Sequence, residues 1–453
     1  MSILKVQWKS KGGVHPEYHK GATRDKPIER MPLPPLLRVA MSQHLGAPAR
    51  PVVKKGDAVR RGQVIGEATG FVSVHVHAPT SGMVQAVVEA PVATGSLLPA
   101  VEIAPDGRDE WAADLPPITP WQNAAGNVLL PRILQAGVCG MGGAGFPTHV
   151  KLAPPADKPI NTLIVNGAEC EPWLTADHRL MVEHAAQIWD GARILRRILN
   201  AGTVRVAIED NKPDAIAAME KAMAAAPEND AAIAVLRTQY PQGAEKQQIY
   251  AVTGREVPSG GLPMDVGVIV ENVATAMACW DAVANGHPLT ERVATVTGTP
   301  VKRPANVLAR LGVPFADLLA FCGGLSGPAA KIVAGGPMMG LAQHSLDVGV
   351  SKTTSGLLFL TPEEVGQFTS MPCIACSRCV AACPMRLMPS ELSQMLEAED
   401  YDTAEAYHVM DCIECGCCAY VCPAHRPLVQ HMKQGKARIT FKRRQKQEQK
   451  KPA

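Results

Sequence analysis

From about Asn123 to Gly286 the chain alternates short apolar runs with longer stretches of helical periodicity. The runs are Leu163–Val165, Val204–Ile208, Ile233–Leu236 and Val266–Val270. Strand, helix and strand in turn predict a mainly parallel sheet with helices on its faces. One helix is predicted from about Thr175 to Leu199, where Ile188, Leu195, Ile198 and Leu199 share a stripe at helical spacing. Residues from about 30 to 105 read instead as short strands broken by turns. Past Gly286, the segment Val293 to Gly340 predicts more short strands, with a helix near Pro314 to Phe321. Farther on, Leu392, Met395 and Leu396, then Ala404, Ala406 and Val409, predict short packed helices.

With 453 residues and roughly 150 per domain, the chain has room for two to four domains. Its 39 glycines and 38 prolines signal many tight turns, while an apolar content of 46% argues that the chain folds. Basic and acidic residues number 45 and 42, a net +3 that is too little for a general nucleic-acid binder. That charge is uneven: nine Lys/Arg and one acid lie between Lys433 and Lys451, so residues 433–453 are expected to form a disordered, solvated basic tail. No apolar run approaches the ~18 residues of a membrane span. Met1–Lys11 lacks the apolar core of a signal peptide, so a cytoplasmic site of action is expected.

Nine of the 13 cysteines lie between Cys373 and Cys422. Eight of them form two runs of one spacing, C-x2-C-x2-C-x3-C-P: Cys373, Cys376, Cys379 and Cys383 before Pro384, and Cys412, Cys415, Cys418 and Cys422 before Pro423. A tight loop of this kind aims three thiolates at three irons of a cubane, while the fourth cysteine reaches the neighbouring cluster. Two 4Fe–4S clusters are therefore expected, one on Cys373, Cys376, Cys379 and Cys422, the other on Cys412, Cys415, Cys418 and Cys383. Zinc is the alternative, but structural zinc takes pairs from separate hairpins and would leave the third cysteine of each run over. Cys417 interrupts the pattern and reads as a small packed residue, as do Cys139, Cys170, Cys279 and Cys322.

Ahead of the first strand of the alternating region lies Gly140-Met141-Gly142-Gly143-Ala144-Gly145-Phe146-Pro147-Thr148. Its glycines let backbone N–H groups crowd against an anion, and Pro147 can open a helix behind them. Phosphate is the guest this predicts. A tight turn uses the same residues, and no strand precedes the loop as a Rossmann dinucleotide turn requires.

Together with Asn166-Gly167-Ala168-Glu169-Cys170-Glu171-Pro172, Tyr240-Pro241-Gln242-Gly243-Ala244-Glu245-Lys246 and Glu271-Asn272-Val273-Ala274-Thr275, this loop resembles the NADH-binding flavoprotein subunit of respiratory complex I. It is more similar still to the RnfC family of the membrane Rnf complex, over nearly the whole chain. The resemblance implies FMN held by Gly140, Gly142, Gly143, Ala144 and Gly145, with Lys151, Asn166, Glu169, Gly243, Glu245, Asn272 and Thr275. Phe146 would flank the nicotinamide and Glu171 would sit near the dinucleotide. Ala168 and Ala244 stand where the complex I protein has acids, and Met141 where it has arginine.

The same resemblance implies a multidomain α/β chain: an N-terminal extension and barrel-sandwich module (1–115), a Rossmann-like FMN/NADH domain (123–290), a β-grasp SLBB module (291–345), a ferredoxin-type two-cluster domain (365–432) and the tail. Lipoyl and biotinyl carriers share the barrel-sandwich fold, yet no lysine occurs from Gly62 to Val84, so a docking module is expected and not a swinging arm. His75 and His77 alternate onto one strand face, and Met338-Met339 reads as turn and core. The implied function is hydride exchange between NADH and FMN, with single electrons passed through the clusters. The setting would be a peripheral subunit on the cytoplasmic face of a bacterial inner membrane. Its partners would be integral membrane subunits that move Na+ or H+, a ferredoxin-type iron–sulfur subunit and, indirectly, ferredoxin or flavodoxin. Two rivals remain: a cobalamin reductase built of the same modules, and a docking wire whose flavin site has degenerated.

Overall fold

The computed structural model describes residues 2–6, 12–366 and 369–449. Its central sheet has five parallel strands: β1 (Ser2–Lys5), β2 (Thr162–Gly167), β3 (Thr203–Glu209), β4 (Ala231–Leu236) and β5 (Val268–Asn272). They lie in the order β1-β4-β3-β2-β5. Leu163, Val165, Val206 and Ile208 pack beneath one layer of helices, and Ile164, Ala207 and Ala234 beneath the other. Burial on both faces is why these strands read as unbroken apolar runs.

The longer helices of this domain are α1 (Gly126–Gln135), α2 (Ala176–Glu183), α3 (Ala185–Leu199), α4 (Pro213–Ala225), α5 (Glu245–Thr253) and α6 (Val273–Trp280). The single helix expected over Thr175–Leu199 is two, broken at His184, whose backbone leaves the helical region at φ −128. Helix α3 lies close on α6 because Gly191 has no side chain; a Cβ there would stand 1.9 Å from the Ala276 carbonyl oxygen.

From β2 the chain winds to β3 and β4 in one direction, then returns to place β5 on the other side of β2. The reversal opens a crevice at the carboxyl ends of β2 and β5, where open α/β sheets bind ligands. Asn166 and Asn272 face each other there in register.

The barrel-sandwich module closes a four-stranded sheet (Leu37–Ala40, Leu97–Pro105, Gly82–Pro91, Ala58–Val59) over a three-stranded one (Arg50–Pro51, Val64–Glu67, Val76–His77). Val39, Ile65, Val76, Val84 and Ile103 fill its core. His77 points inward and is fully buried, so the two histidines do not form an exposed face.

The β-grasp sheet reaches past the expected 291–345. Its strands are Leu341–Gln343, Lys331–Ala334, Gly356–Leu360, Glu291–Thr297, Ala305–Arg310 and Ile28–Arg30. The N-terminal extension is thus shared out, giving one strand to the central sheet and one to the β-grasp.

The expected disordered tail is also corrected. Residues Leu428–Gln449 form one helix that buries Leu428, Met432 and Ile439 against the cluster domain. Arg443 pairs with Glu405, and the Lys442 ammonium lies 4.7 Å from the Tyr401 ring centre. Residues 450–453 fall outside the described part.

Candidate flavin crevice and cysteine cavities

The glycine loop leaves α1 and returns on itself: Gly140 N–H donates to the Phe146 carbonyl at 2.9 Å, and Cys139 bridges Pro147. Met141 N–H donates to Thr275 Oγ1 at 3.0 Å, which fastens the loop to α6. Gly142, Gly143 and Ala144 are exposed, Gly145 is buried and Phe146 is half-buried. A Cβ at Gly142 would lie 2.7 Å from Asn272 Nδ2, so only glycine lets the backbone come this close to β5.

Lys151 enters the same crevice from the short helix behind the loop. Its ammonium donates to Glu245 Oε1 at 2.7 Å and also to the Val270 carbonyl. Burial lowers its pKa, but Glu271 and Glu245 outweigh that and hold it above the usual lysine value. Asn166 is held at both ends: Oδ1 accepts from Ala168 N–H (3.0 Å) and Gln248 Nε2 (2.7 Å), and Nδ2 donates one of its two hydrogens to the Gly243 carbonyl (2.9 Å). Asn272 caps α6 by accepting from Ala274 N–H, and its Nδ2 donates to Asp177 Oδ2 at 2.6 Å. Nothing in the sequence pattern singles out Gln248 or Asp177, which hold the two asparagines in place.

Two residues of the expected set turn elsewhere. Glu169 accepts from Asp177 N–H (2.8 Å) and His178 N–H (3.3 Å), satisfying the start of α2, and pairs with buried Lys20 at 3.8 Å. Glu171 commits both carboxylate oxygens to the backbone N–H groups of Met338 (3.1 Å) and Met339 (2.8 Å). Burial pushes its pKa up to about 7, against the pull of those two donors. Beneath Ala168 the backbone is held by lysines: Lys212 donates to its carbonyl at 2.6 Å and Lys20 to that of Glu169 at 2.7 Å. Cys170 accepts from Gly243 N–H at 3.2 Å, and burial drives its thiol up to about 12.

What remains is a crevice of exposed loop backbone, one ammonium and two amide side chains. That donor set fits FMN: exposed N–H groups and Lys151 suit a phosphate, and the amides suit the edge of a flavin ring.

The cysteine domain repeats itself at an offset of 39 residues. In both halves the same positions take the left-handed conformation: Ala375 and Glu414, Ser377 and Gly416, Arg386 and His425. In both, the N–H two residues beyond the first cysteine points at its sulfur at 3.4 Å, from Ala375 to Cys373 and from Glu414 to Cys412. Such loops aim consecutive thiols inward. Cys373, Cys376, Cys379 and Cys422 line one cavity. Cys383, Cys412, Cys415 and Cys418 line a second. Each cavity thus takes three sulfurs from one run and the fourth from the other. Among the described residues no three His, Cys, Asp or Glu side chains converge tightly enough for one ion. Four thiols spread around a cavity fit a polynuclear cluster.

The cavities differ in exposure. Cys373 and Cys376 are exposed, whereas Cys415 and Cys418 are buried. The inner cavity presses on the N-terminal extension and the flavin domain: Gly13 N–H of the first donates to the Ala382 carbonyl at 2.8 Å, and Gln247 Nε2 of the second to that of Pro384 at 3.0 Å. Tyr240 Oη donates to the Cys415 carbonyl at 2.7 Å. Cys417 is fully buried beside Tyr240 and Cys170.

A flavin-type crevice joined through one buried contact layer to paired cluster cavities defines an iron–sulfur flavoprotein of the complex I electron-input class. Family models agree, module by module: a Nuo51 FMN-binding domain over residues 133–281, an RnfC barrel sandwich hybrid domain over 8–108, an SLBB domain over 293–342 and a 4Fe-4S dicluster domain over 372–425. The chain is 47% identical to the corresponding protein of the proton-translocating ferredoxin:NAD(+) oxidoreductase complex of Clostridium ljungdahlii, covering 93% of this chain and 92% of that one. It is 44% identical to its counterpart in the Na(+)-translocating complex of Acetobacterium woodii, over 96% and 98%. A third relative, from the ion-translocating oxidoreductase complex of Rhodobacter capsulatus, is 45% identical over 95% and 83%. An NAD+-reducing [NiFe]-hydrogenase structure shares the fold, with a TM-score of 0.50 and 20% identity over 70% of this chain and 63% of that one. The chain belongs to the RnfC family, whose members are subunits of ion-translocating ferredoxin:NAD(+) oxidoreductases.

Proposed function

We propose that this chain is the NAD(H)-reacting, membrane-peripheral subunit of a ferredoxin:NAD+ oxidoreductase that moves Na+ or H+. The observation that carries the reading is the loop Tyr240–Gly243. One end, Gly243, bonds Asn166 and Cys170 in the crevice; the other, Tyr240, bonds Cys415 at the inner cavity. The crevice and the inner cavity are therefore neighbours joined by this loop.

When bound, FMN supplies exchange between two-electron hydride chemistry and one-electron steps, and two 4Fe–4S clusters supply a one-electron relay. Gly140, Gly142, Gly143, Ala144 and Gly145 offer the loop backbone, and Lys151 the cation beside it. Asn166 and Asn272 are held by Gln248 and Asp177, so their amides present fixed hydrogen-bonding groups. Phe146 flanks the place of the nicotinamide. Orientation is the protein's contribution, and no side chain is assigned as an acid or base.

The relatives from Clostridium and Acetobacterium differ in the named ion yet match this chain almost equally, so ion choice is assigned to other subunits. No helix among the described residues is long and apolar enough to cross a membrane. Attachment to the cytoplasmic face of the inner membrane is assigned to integral partner subunits. A ferredoxin-type iron–sulfur partner is assigned to the outer cavity, where Cys373, Cys376 and Ile374 are exposed.

Anaerobic purification with iron, sulfide and FMN measured, then titration with NADH, tests this. About eight irons and one FMN per chain, bleached by NADH, are expected. Eight irons without flavin and without response would leave a docking wire.

A further inference from the structure

The glycine loop is not held by the flavin domain alone. Gly137 and Gly145, at its two ends, both have left-handed backbones, with φ of +64 and +73. Each end rests on the same two outside modules: the barrel-sandwich, through His75 at one end and His44–Leu45 at the other, and the β-grasp, through Lys352 and Thr353 just ahead of its strand Gly356–Leu360. At the first end, Lys352 donates its ammonium to the Gly137 carbonyl (2.6 Å) and to the His75 carbonyl (2.7 Å). A Cβ on Gly137 would stand 2.3 Å from the His75 oxygen and 2.9 Å from Lys352 Nζ. At the other end, Gly145 accepts from Leu45 N–H at 3.0 Å. A Cβ on Gly145 would meet Thr353 Cγ2 at 2.7 Å and His44 Cα at 3.2 Å. Gln43 ties the two outside modules together, its Oε1 accepting from Lys352 N–H at 3.0 Å.

Lys352 is fully buried and has no carboxylate in ion-pair range among the described residues; two carbonyls alone satisfy it. Burial pulls its pKa down to about 8, opposed by the Cys139 thiol. A buried cation bound only to carbonyls is costly unless its geometry is needed. Here it joins three modules at the point where the loop begins.

We propose that Lys352 is a positioning residue for the flavin, locking the barrel-sandwich onto the glycine loop so that the loop's exposed N–H groups are set for the bound FMN. The barrel-sandwich is then part of the flavin site and not only a docking module. The inference rests on the FMN reading above.

The test uses the full chain with its clusters, comparing Lys352→Met and Gln43→Ala with the unaltered protein. The readouts are the FMN dissociation constant from flavin fluorescence, the visible circular dichroism of bound FMN, the cluster EPR signals and the melting temperature. Lys352→Met is expected to bind FMN about tenfold more weakly, the effect of losing one buried hydrogen-bonded anchor, with an altered flavin dichroism and unchanged cluster signals. Gln43→Ala should shift the same two readouts less. Folded variants that hold FMN within twofold of the unaltered protein, with the same dichroism, would overturn the proposal. If Lys352→Met does not fold, Gln43→Ala decides by the same criterion. Should the unaltered protein carry both clusters and bind no FMN, the flavin reading fails instead.

Discussion

Tyr240 donates its hydroxyl to the carbonyl oxygen of Cys415 at 2.7 Å, across 175 residues of sequence. The tyrosine is fully buried, and its backbone also pairs with Val14 of the N-terminal extension. Three residues later Gly243 bonds Asn166 in the crevice. A displacement of either site is therefore felt by the other through a few covalent bonds, which makes the Tyr240 loop the natural place to test their coupling.

Tyr240→Phe leaves the Cys415 carbonyl buried without its donor, a loss of about 1–3 kcal/mol. The inner cluster should become more labile and its EPR signal should change, with the outer signal and FMN content retained. Iron release under a chelator, followed with EPR, checks this. Equal lability of both clusters would show that the contact is not specific to the inner site.

Crossed ligation makes a sharper statement. Cys422→Ala and Cys376→Ala should erase the same EPR signal, and Cys383→Ala and Cys415→Ala the other, each leaving about four irons of eight. If Cys422→Ala matches Cys415→Ala instead, each run ligates its own cluster and the cavities have been assigned wrongly.

Glu171 sits in a motif whose resemblance points to the dinucleotide, yet its carboxylate holds the Met338-Met339 turn. The carbonyl of Met338 in turn lies 3.0 Å from where a Cβ on Gly416 would be, beside the inner cysteines. Glu171→Ala is therefore expected to perturb the inner cluster's EPR line shape while the KM for NADH, measured with ferricyanide, changes less than about threefold. Gly336→Ala, whose Cβ would stand 2.3 Å from Glu171 Oε2, should reproduce the effect. A large KM change with an unaltered EPR spectrum would return Glu171 to the nicotinamide.

Much of this was legible because the strands of the central sheet are buried on both faces and the cysteines carry their own spacing. The exceptions have physical causes. The stripe of Ile188, Leu195 and Leu199 runs into the segment before it without a visible stop, so the break at His184 is a tertiary effect. The density of Lys and Arg after Lys433 masked the spacing of Leu428, Met432 and Ile439, which fixes the last helix to the cluster domain. Strands as short as Ile28–Arg30 carry too few residues to show a period. Gln248 and Asp177 act on asparagines far along the chain, 82 and 95 residues away, and contacts of that range leave no local pattern.

Glu271 gives a pH dependence with a definite sign. It lies at 3% exposure beside Lys151 and Glu245, with Oε1 unpartnered. Burial pushes its pKa from 4.5 up to about 7, with Lys151 pulling down and Glu245 up. Between those two values the folded protein holds a proton that the unfolded chain has released, so stability falls as pH rises through the window. A shift of that size corresponds to roughly 3 kcal/mol at most. Because a multidomain cluster protein does not unfold in one step, the measurement is hydrogen exchange at β5, corrected for intrinsic rates, from pH 5 to 8. Protection should decline with pH in the unaltered chain and stay flat in Glu271→Gln. Parallel declines in both would mean that the carboxyl is ionised throughout, with Lys151 neutralising it.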